Sequence, residues 1–243
     1  SGKMNADAIP IILPKSQFRQ YRLKLCGGTF IKIKDKIRTQ SDLIKYLKKY
    51  NPIDVYQTVS WWLNPQLLGS RIERKAGFRI LQNFFLGMDF VFDFDLDDYN
   101  SVIEMQDNLD KAIFTFKSMG LNDYMVLETG RGFQTVFFDF NDWLLNKYPN
   151  LKKIANPLDR EMAYRAKLIK LVNELKSKGI KFDYNVSTDT RRIFRVPNTF
   201  HRNGKMIQII YTSTLKESEP KGDDSASLIR GVPKQTAEMQ SLG

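Results

Sequence analysis

The feature that most restricts the fold is an alternation of aromatic and acidic residues in the middle of the chain. Residues 90–95 read Phe-Val-Phe-Asp-Phe-Asp. Successive side chains of a β-strand point to opposite faces, so a strand here would bury Phe92 and Phe94 on one face and project Asp93 and Asp95 from the other. We therefore expect a buried strand that carries two neighbouring carboxylates.

Two carboxylates held side by side repel each other unless a cation lies between them. This arrangement is typical of a site for divalent ions that also bind substrate phosphates, as in two-metal phosphoryl transfer. The alternative is that the acids form a solvated strand end or cap the next helix, which suits Asp97 and Asp98 better than Asp93 and Asp95. Asp-x-Asp patterns also occur in glycosyltransferases and in several nucleotidyltransferases, but a glycosyltransferase would leave the basic segment described below unexplained.

The net charge of the chain and its scarcity of cysteine and histidine limit the possible partners and metal ions further. The 243 residues carry a net charge of +11, which indicates a polyanionic partner such as nucleic acid. Cys26 is the only cysteine and His201 the only histidine, so a disulfide and a zinc site of four Cys or His ligands are excluded within the chain. A metal would be held mainly by carboxylates, which favours Mg²⁺ or Mn²⁺.

The expected surroundings of the protein follow from the same composition. A single cysteine indicates a reducing, intracellular compartment. No apolar run approaches the roughly 20 residues of a membrane-spanning helix, so we expect no membrane partner. Ser1-Gly2-Lys3 look like residues added ahead of the native Met4, and no signal peptide is expected.

Hydrophobic periodicity and turn residues predict an α+β fold with antiparallel or mixed sheets flanked by helices. Val102 and Met162 are expected to face inward from their helices, Ser41 to cap the first helix, and Gly120 and Gly179 to end the other two. We expect one domain over residues 1–215 and a tail or linker over 216–243. The predicted strands are 29–33, 54–60, 89–95, 124–127, 133–138, 192–196 and 206–211, and the predicted helices are 41–50, 101–119 and 159–178.

Two further segments carry residues suited to phosphate chemistry. Gly130 and Gly132 flank Arg131, and Gln134 follows two residues after Gly132. Glycines on both sides of the arginine would let the backbone approach a phosphate closely. Gly-Arg-Gly is also an ordinary hairpin turn. Residues 182–205 hold Asp183, three arginines in five positions, and His201. These cations could neutralise a triphosphate or a nucleic-acid backbone, or form a basic surface strand with a structural histidine.

In their order along the chain, these segments resemble the archaeo-eukaryotic primase superfamily, specifically the small catalytic subunit of DNA primase. Residues 18–21, Phe-Arg-Gln-Tyr, correspond to the family's His-Arg-Glu-Phe, and residues 195–201, Arg-Val-Pro-Asn-Thr-Phe-His, are similar to its Arg-Leu-Pro-Gly-Ser-Leu-His. The stretch 86–95 lies between them, and shorter matches occur at 40–43, 51–52 and 59–60. The resemblance covers about residues 15–212.

The resemblance implies a primase catalytic core with two bound divalent cations. Asp93, Asp95 and Asp183 would hold the ions, Asp183 being preferred to Asp189 because Asp-Tyr-Asn-Val-Ser matches the family's Asp-x-x-Val-(Ser/Thr). Two departures stand out: Gln134 replaces a family histidine, and residues 140–180 lack the cysteines and histidines of the family's structural zinc site, so no zinc is expected. The implied nucleotide-binding residues are Arg19, Arg131, Gly132, Gln134, Arg195 and His201.

The expected function is therefore DNA-templated primer synthesis from nucleoside triphosphates on single-stranded DNA during replication. A separate large primase subunit or a fused accessory domain is the implied partner, in the cytoplasm or in a eukaryotic nucleus. A repair polymerase that extends without initiating, or a noncatalytic nucleic-acid-binding module, would also fit the residues. Tyr56, Trp61, Trp62 and Tyr99 could stack on bases or belong to the core.

Overall fold

A computed structural model describes residues 9–69 and 83–213 of the chain. The expected boundary at residue 216, the tail that follows it and the three residues before Met4 lie outside this part of the chain. Within the described residues no helix has the length and apolar character needed to cross a membrane.

The described residues form ten strands, five α-helices and four short 3-10 helices in mixed order, which confirms the α+β class. The strands are β1 Tyr21–Lys24, β2 Phe30–Lys32, β3 Asp54–Thr58, β4 Ser60–Trp62, β5 Phe85–Met88, β6 Phe90–Asp95, β7 Tyr124–Glu128, β8 Gly132–Phe137, β9 Ile193–Arg195 and β10 Gln208–Thr212. The helices are α1 Gln40–Tyr50, α2 Val102–Ser118, α3 Phe140–Lys147, α4 Pro157–Ser177 and the single turn α5 Tyr184–Ser187.

Two four-stranded antiparallel sheets make up the framework. Sheet 1 has the strand order β2-β1-β3-β9, and sheet 2 has the order β10-β7-β8-β6. A two-stranded pair, β4-β5, accompanies them. The strand that carries the two acids, β6, is thus at one edge of sheet 2, and the arginine-bearing strand β9 is at one edge of sheet 1.

Each sheet has its own hydrophobic core. The larger core surrounds sheet 2, where Phe92 and Phe94 are almost fully buried and the ring of Phe92 lies 4.8 Å from that of Phe116 on α2. The smaller core lies between sheet 1 and α1, with Leu23 and Leu43 at its centre. Aromatic burial of this kind explains why the alternating run from Phe90 forms a strand, because each second residue packs into the interior.

The ends of the long helices follow from local chemistry, with one correction. Gly120 and Gly179 adopt φ values of 92° and 70° directly after α2 and α4, as predicted, because a residue without Cβ reaches the left-handed region without strain. The first helix is capped by Thr39 and not by Ser41. Thr39 and Asp42 form a reciprocal capping box, in which each side chain accepts a hydrogen bond from the other's backbone N–H.

Several predicted details of the elements are wrong. The strand predicted over 54–60 is two strands, because Val59 leaves sheet 1: its N–H donates to the carbonyl of Arg192 (2.9 Å), and its carbonyl accepts from the N–H of Asp89 (3.0 Å). Val102 and Met162, predicted to face inward, are 43% and 60% exposed. Val102 is the first residue of α2, and Met162 lies two residues before the buried Tyr164, about 200° around the helix from it. Four elements were not predicted, namely β1, β5, α3 and α5.

Candidate functional site

The predicted pair of acids lies at the edge of sheet 2. On β6, Phe92 and Phe94 are buried, whereas Asp93 is half-buried and Asp95 is exposed. Asp93 is paired across the sheet with Gln134 and Asp95 with Gly132, so both carboxylates project from the same face. The alternation of the sequence therefore predicted the facing of these two side chains correctly.

The Asp93 carboxylate is bound by an arginine that comes from beyond sheet 2. Its Oδ2 accepts a hydrogen bond from Nη2 of Arg192 at 2.9 Å and one from Nε2 of Gln134 at 3.3 Å. The side chain of Arg192 is 3% exposed, against 35% for that of Asp93. Arg192 also donates from Nη1 to the carbonyl oxygen of Val91 at 2.9 Å and to Oγ of Ser187 at 3.2 Å. One buried guanidinium thus joins β6 to the segments 183–187 and 191–195.

The electrostatics of Arg192 place Asp183 in the same neighbourhood. Burial lowers the pKa of the Arg192 guanidinium, and the negative charges of Asp93, Asp183 and Asp189 oppose that decrease. Asp183 lies directly before α5 and is exposed, and its carbonyl accepts the N–H of Ser187 at 3.1 Å. Asp93 and Asp183, 90 residues apart in sequence, therefore both act on one cation.

Two of the predicted metal ligands share a face, and the third does not complete a metal-binding group with them. Asp95 Oδ1 accepts the backbone N–H of Asp97 at 3.2 Å and so caps the short 3-10 turn Leu96–Asp98. The sequence had indicated this capping role for Asp97 and Asp98 and not for Asp95. Over residues 9–69 and 83–213, no three His, Cys, Asp or Glu side chains are grouped closely enough to hold a metal ion. The carboxylate oxygens suit Mg²⁺ or Mn²⁺ as donors, and Asp93 and Asp95 are the pair that could hold such an ion.

The glycine-flanked Arg131 lies beside the acids, at the tip of the β7–β8 hairpin. Its guanidinium forms an ion pair with Asp97, and its Nε lies 3.9 Å from Oδ1 of Asp95. The side chain is 46% exposed. Gly132 is required here because a Cβ would lie 1.8 Å from the carbonyl oxygen of Phe94 on the neighbouring strand. The hairpin is thus confirmed, and it brings a cation to the acidic edge.

Gln134 connects the two sheets. Its residue is almost fully buried, its Nε2 donates to Asp93, and its Oε1 accepts the backbone N–H of Arg195 at 3.3 Å. Both ends of the amide are therefore used within the protein. Gln134 thereby holds Arg195 of β9 next to the acids of β6. Arg195 belongs to a second cluster of residues.

The second cluster surrounds a buried carboxylate that sequence analysis did not identify. Asp54 on β3 is fully buried, and its Oδ1 accepts the backbone N–H of Arg202 at 3.0 Å and lies 3.9 Å from Nε of Arg195. The Arg195 guanidinium lies over the ring of Tyr56, 5.6 Å from its centroid. Asp54 is the first residue of an ordinary-looking strand, and no local signal marks it as a partner of Arg195 and Arg202, more than 140 residues away.

His201 belongs to this second cluster. Its ring is mostly buried, and Nδ1 accepts the backbone N–H of Asn203 at 3.4 Å. Burial lowers the pKa of the imidazole, with smaller effects from Arg195 and Asp54 of opposite sign. The side chain is thus neutral near pH 7 and lies among the charged groups around Asp54.

Arg19 occupies a different place from the other predicted nucleotide-binding residues. Its guanidinium is almost fully buried, forms an ion pair with Asp89, and donates from Nη1 to the carbonyls of Thr58 (2.8 Å) and Val59 (2.9 Å). Burial raises the pKa of Asp89 to about 6, although the Arg19 charge opposes this increase. Arg19 is an internal cation that ties the end of β3 to the start of β6, and we leave it out of the nucleotide site.

Two of the four aromatic residues considered for base stacking lie in the interior. Trp61 and Trp62 are 4% and 1% exposed. Tyr56 and Tyr99 are both half-buried, and Tyr99 donates its hydroxyl hydrogen to the carbonyl of Lys181 at 2.6 Å.

Comparison with known proteins adds no relative to this picture. No protein-family model matches the chain, and no curated protein sequence matches it either. The functional interpretation therefore depends on the residues and geometry described above.

Proposed function

We propose that the chain is the catalytic core of a DNA-templated primase, which joins nucleotides on single-stranded DNA by phosphoryl transfer. The observation that carries this proposal is the common face of Asp93 and Asp95, flanked by the guanidinium groups of Arg131 and Arg192. Carboxylates for divalent ions next to arginines for phosphate oxygens are the side chains that nucleotidyl transfer requires. The sequence resemblance to the primase catalytic subunit supports the same activity.

Each residue has a distinct proposed role. Asp93 and Asp95 would hold Mg²⁺ or Mn²⁺, whereas Asp183 is a metal ligand only by the sequence resemblance and does not group with them among the described residues. When bound, these ions lower the pKa of the attacking 3′-hydroxyl and neutralise the triphosphate. Arg131 is partly exposed beside Asp95 and would bind triphosphate oxygens through charge-assisted hydrogen bonds.

Arg195 and His201 would contact the nucleotide from the side of sheet 1. Gln134 fixes the backbone of Arg195 relative to Asp93 and would set the distance between the nucleotide and the acids. Because Gln134 is uncharged and both its amide atoms have protein partners, we assign it a positioning role and no phosphate contact. A separate large subunit or a fused accessory domain stays a prediction of the resemblance.

One observation favours a second candidate, a noncatalytic nucleic-acid-binding module. The ion pair between Arg192 and Asp93 neutralises a carboxylate without a metal ion. In that case the acids would stabilise the junction between the sheets and would have no role in chemistry. A polymerase that extends but does not initiate uses the same site as a primase and differs from it only in the reaction performed.

Incorporation assays with an exposed-acid control distinguish these functions. Wild type, Asp95→Asn and Asp98→Asn would be given a single-stranded DNA template, Mg²⁺ or Mn²⁺, and either ribonucleoside or deoxyribonucleoside triphosphates. We expect primer-free products from wild type and Asp98→Asn, and at least a hundredfold loss for Asp95→Asn. Asp95 is exposed, so its substitution should leave the fold intact.

The outcomes separate the three candidates. Products formed only when a primer is annealed would indicate the extending polymerase. Equal incorporation by wild type and Asp95→Asn would refute the proposed site. Absence of incorporation by wild type under all of these conditions, with template binding intact, would support the noncatalytic module.

A further inference from the structure

The two faces of sheet 1 differ in character. On one face, Leu23 and Val55 pack with Leu43 and Leu47 of α1 in the smaller core, and all four are at most 2% exposed. This face is apolar because the helix covers it. The opposite face contains the alternate residues of the same strands; most of these are polar or aromatic and half-buried, whereas Asp54 and Thr58 of β3 are fully buried.

The strand register brings these residues together across the sheet. Arg22 is paired with Lys32 on one side and with Tyr56 on the other, Lys24 is paired with Phe30, and Tyr56 is paired with Arg195. Residues directly opposite each other in antiparallel strands project to the same face. We call this set the open face of sheet 1; its members are Arg22, Lys24, Phe30, Lys32, Tyr56, Ile193 and Arg195, together with Asp54 and Thr58, which are fully buried.

Two aromatic rings lie next to each other on the open face, with a cation over each. Phe30 is 48% exposed, and its ring centroid lies 5.9 Å from that of Tyr56. Lys24 Nζ is 5.7 Å from the Phe30 centroid, and the Arg195 guanidinium is 5.6 Å from the Tyr56 centroid. A single exposed apolar side chain is ordinary on a protein surface; the distinctive feature of Phe30 is its position beside a second aromatic ring, with a cation over each ring.

The charge of this region identifies the chemistry of the partner. The open face carries four cations, Arg22, Lys24, Lys32 and Arg195, and one carboxylate, that of the buried Asp54. Positive charge around accessible aromatic rings is the combination that binds unpaired nucleotides, with cations at the phosphates and rings stacked on the bases. A duplex offers no exposed base faces to such rings.

We propose that the open face of sheet 1 binds single-stranded nucleic acid by stacking bases on Phe30 and Tyr56. The face is continuous with the candidate catalytic site, because Arg195 belongs to the face and its backbone N–H is bound by Gln134, which also binds Asp93. The assignment of the bound nucleic acid as the template of primer synthesis rests on the proposed function. Binding of single-stranded nucleic acid by the open face does not rest on it.

Fluorescence anisotropy with labelled oligonucleotides tests the proposal. Wild type, Phe30→Ala and Lys24→Glu would be titrated with a 20-nucleotide oligo-dT, a 20-nucleotide oligo-rU and a 20-base-pair duplex. Phe114→Ala and Lys117→Glu are matched controls, since Phe114 is 74% exposed on α2 and Lys117 is exposed near the end of the same helix.

We expect Phe30→Ala to weaken binding of the single strands about tenfold, as loss of one stacked base implies, and Lys24→Glu to reduce its salt dependence as well. The controls should bind as wild type does, and Phe30→Trp should retain affinity. Binding of both oligo-dT and oligo-rU supports a surface that does not distinguish deoxyribose from ribose. Binding of only one of them identifies the bound strand as DNA or as RNA.

Three results would overturn the proposal: equal affinity of Phe30→Ala and wild type, equal losses for Phe30→Ala and Phe114→Ala, or preference for the duplex. Thermal unfolding of each variant verifies the fold, and if Phe30→Ala does not fold, the comparison of Phe30→Leu with Phe30→Trp replaces it. Binding that depends on Phe30 without any incorporation by wild type would refute the proposed function and leave the binding face standing.

Discussion

Arg192 donates a hydrogen bond from Nη2 to Oδ2 of Asp93 over 2.9 Å, between residues 99 positions apart in the chain. The arginine is buried and the aspartate is half-buried. The pair fixes the edge strand of sheet 2 against the segment that leads into the edge strand of sheet 1. The candidate catalytic acid is thereby part of the contact between the sheets.

The first prediction concerns this contact. Arg192→Ala removes three hydrogen bonds of one buried guanidinium and leaves the Val91 carbonyl without that donor, so we expect the free energy of unfolding to fall by about 2–3 kcal/mol. Urea denaturation measures this decrease in the free energy of unfolding. Arg131→Ala, at a side chain 46% exposed, should leave the urea midpoint close to that of wild type, because exposed ion pairs contribute little to stability. Equal stabilities for the two variants would show that the buried arginine does not hold the sheets together.

The second prediction concerns the close approach of β6 and β8. A Cβ at residue 132 would lie 1.8 Å from the Phe94 carbonyl oxygen, so Gly132→Ala should lower stability by about 3 kcal/mol or more and separate the strands at Asp95. Gly28→Ala is the control, because φ there is +87° and no atom lies within 4 Å, which leaves a backbone strain of only about 1–2 kcal/mol. Circular dichroism and urea denaturation compare the two, and a Gly132→Ala protein as stable as Gly28→Ala would contradict this register.

The third prediction concerns the single imidazole. Burial lowers the folded-state pKa of His201 below its ordinary value of 6.5. The unfolded chain then binds the proton more readily, so this residue's contribution to stability is present above pH 6.5 and is lost as the pH falls below it. The one histidine resonance in a proton NMR titration should have its midpoint below 6.5.

Denaturation at pH 5 and pH 7 completes this test. From pH 5 to pH 7, the free energy of unfolding of wild type should change more in the stabilising direction than that of His201→Gln. The comparison with His201→Gln is needed because Asp89, whose pKa is raised to about 6, acts in the opposite direction. A midpoint at or above 6.5 would mean that the ring is solvated.

The fourth prediction concerns nucleotide binding and depends on the proposed function. Arg131→Ala should raise the KM for the incoming nucleotide about tenfold, because a charge-assisted hydrogen bond to phosphate contributes about 1.5–3 kcal/mol. Arg165→Ala, on the exposed side of α4, carries the same change in charge and should leave KM unaltered. Steady-state incorporation kinetics measure both, and a matching KM increase in Arg165→Ala would attribute the effect to net charge.

Local patterns predicted much of the fold. The strand of Asp93 and Asp95, the hairpin around Arg131 and the helix ends at Gly120 and Gly179 all depend on residues within a few positions of one another. Side-chain alternation and left-handed glycine are properties of short segments, so they can be recognised without knowledge of the rest of the chain.

The choice among similar side chains could not be predicted in this way. Sequence analysis placed Arg19 at the nucleotide, whereas the structure buries it against Asp89, 70 positions away. Among the arginines of residues 191–195, Arg192 binds the acid and Arg195 faces Tyr56. Thr39 caps α1 although Ser41 is also a good capping residue, because the Thr39 side chain is the one that meets the N–H of Asp42.

The sequence by itself determined most of the element types, the acidic face of β6 and the strongly basic character of the first 50 residues, since these follow from composition and short-range periodicity. Only the tertiary structure decided that Arg192 bridges the two sheets, that Asp54 lies beside Arg195 and accepts the backbone N–H of Arg202, and that Phe30 stands beside Tyr56. These relationships join residues far apart in the chain, and their partners are selected by which strands become neighbours. Strand pairing is a property of the whole fold and has no signature in any one segment.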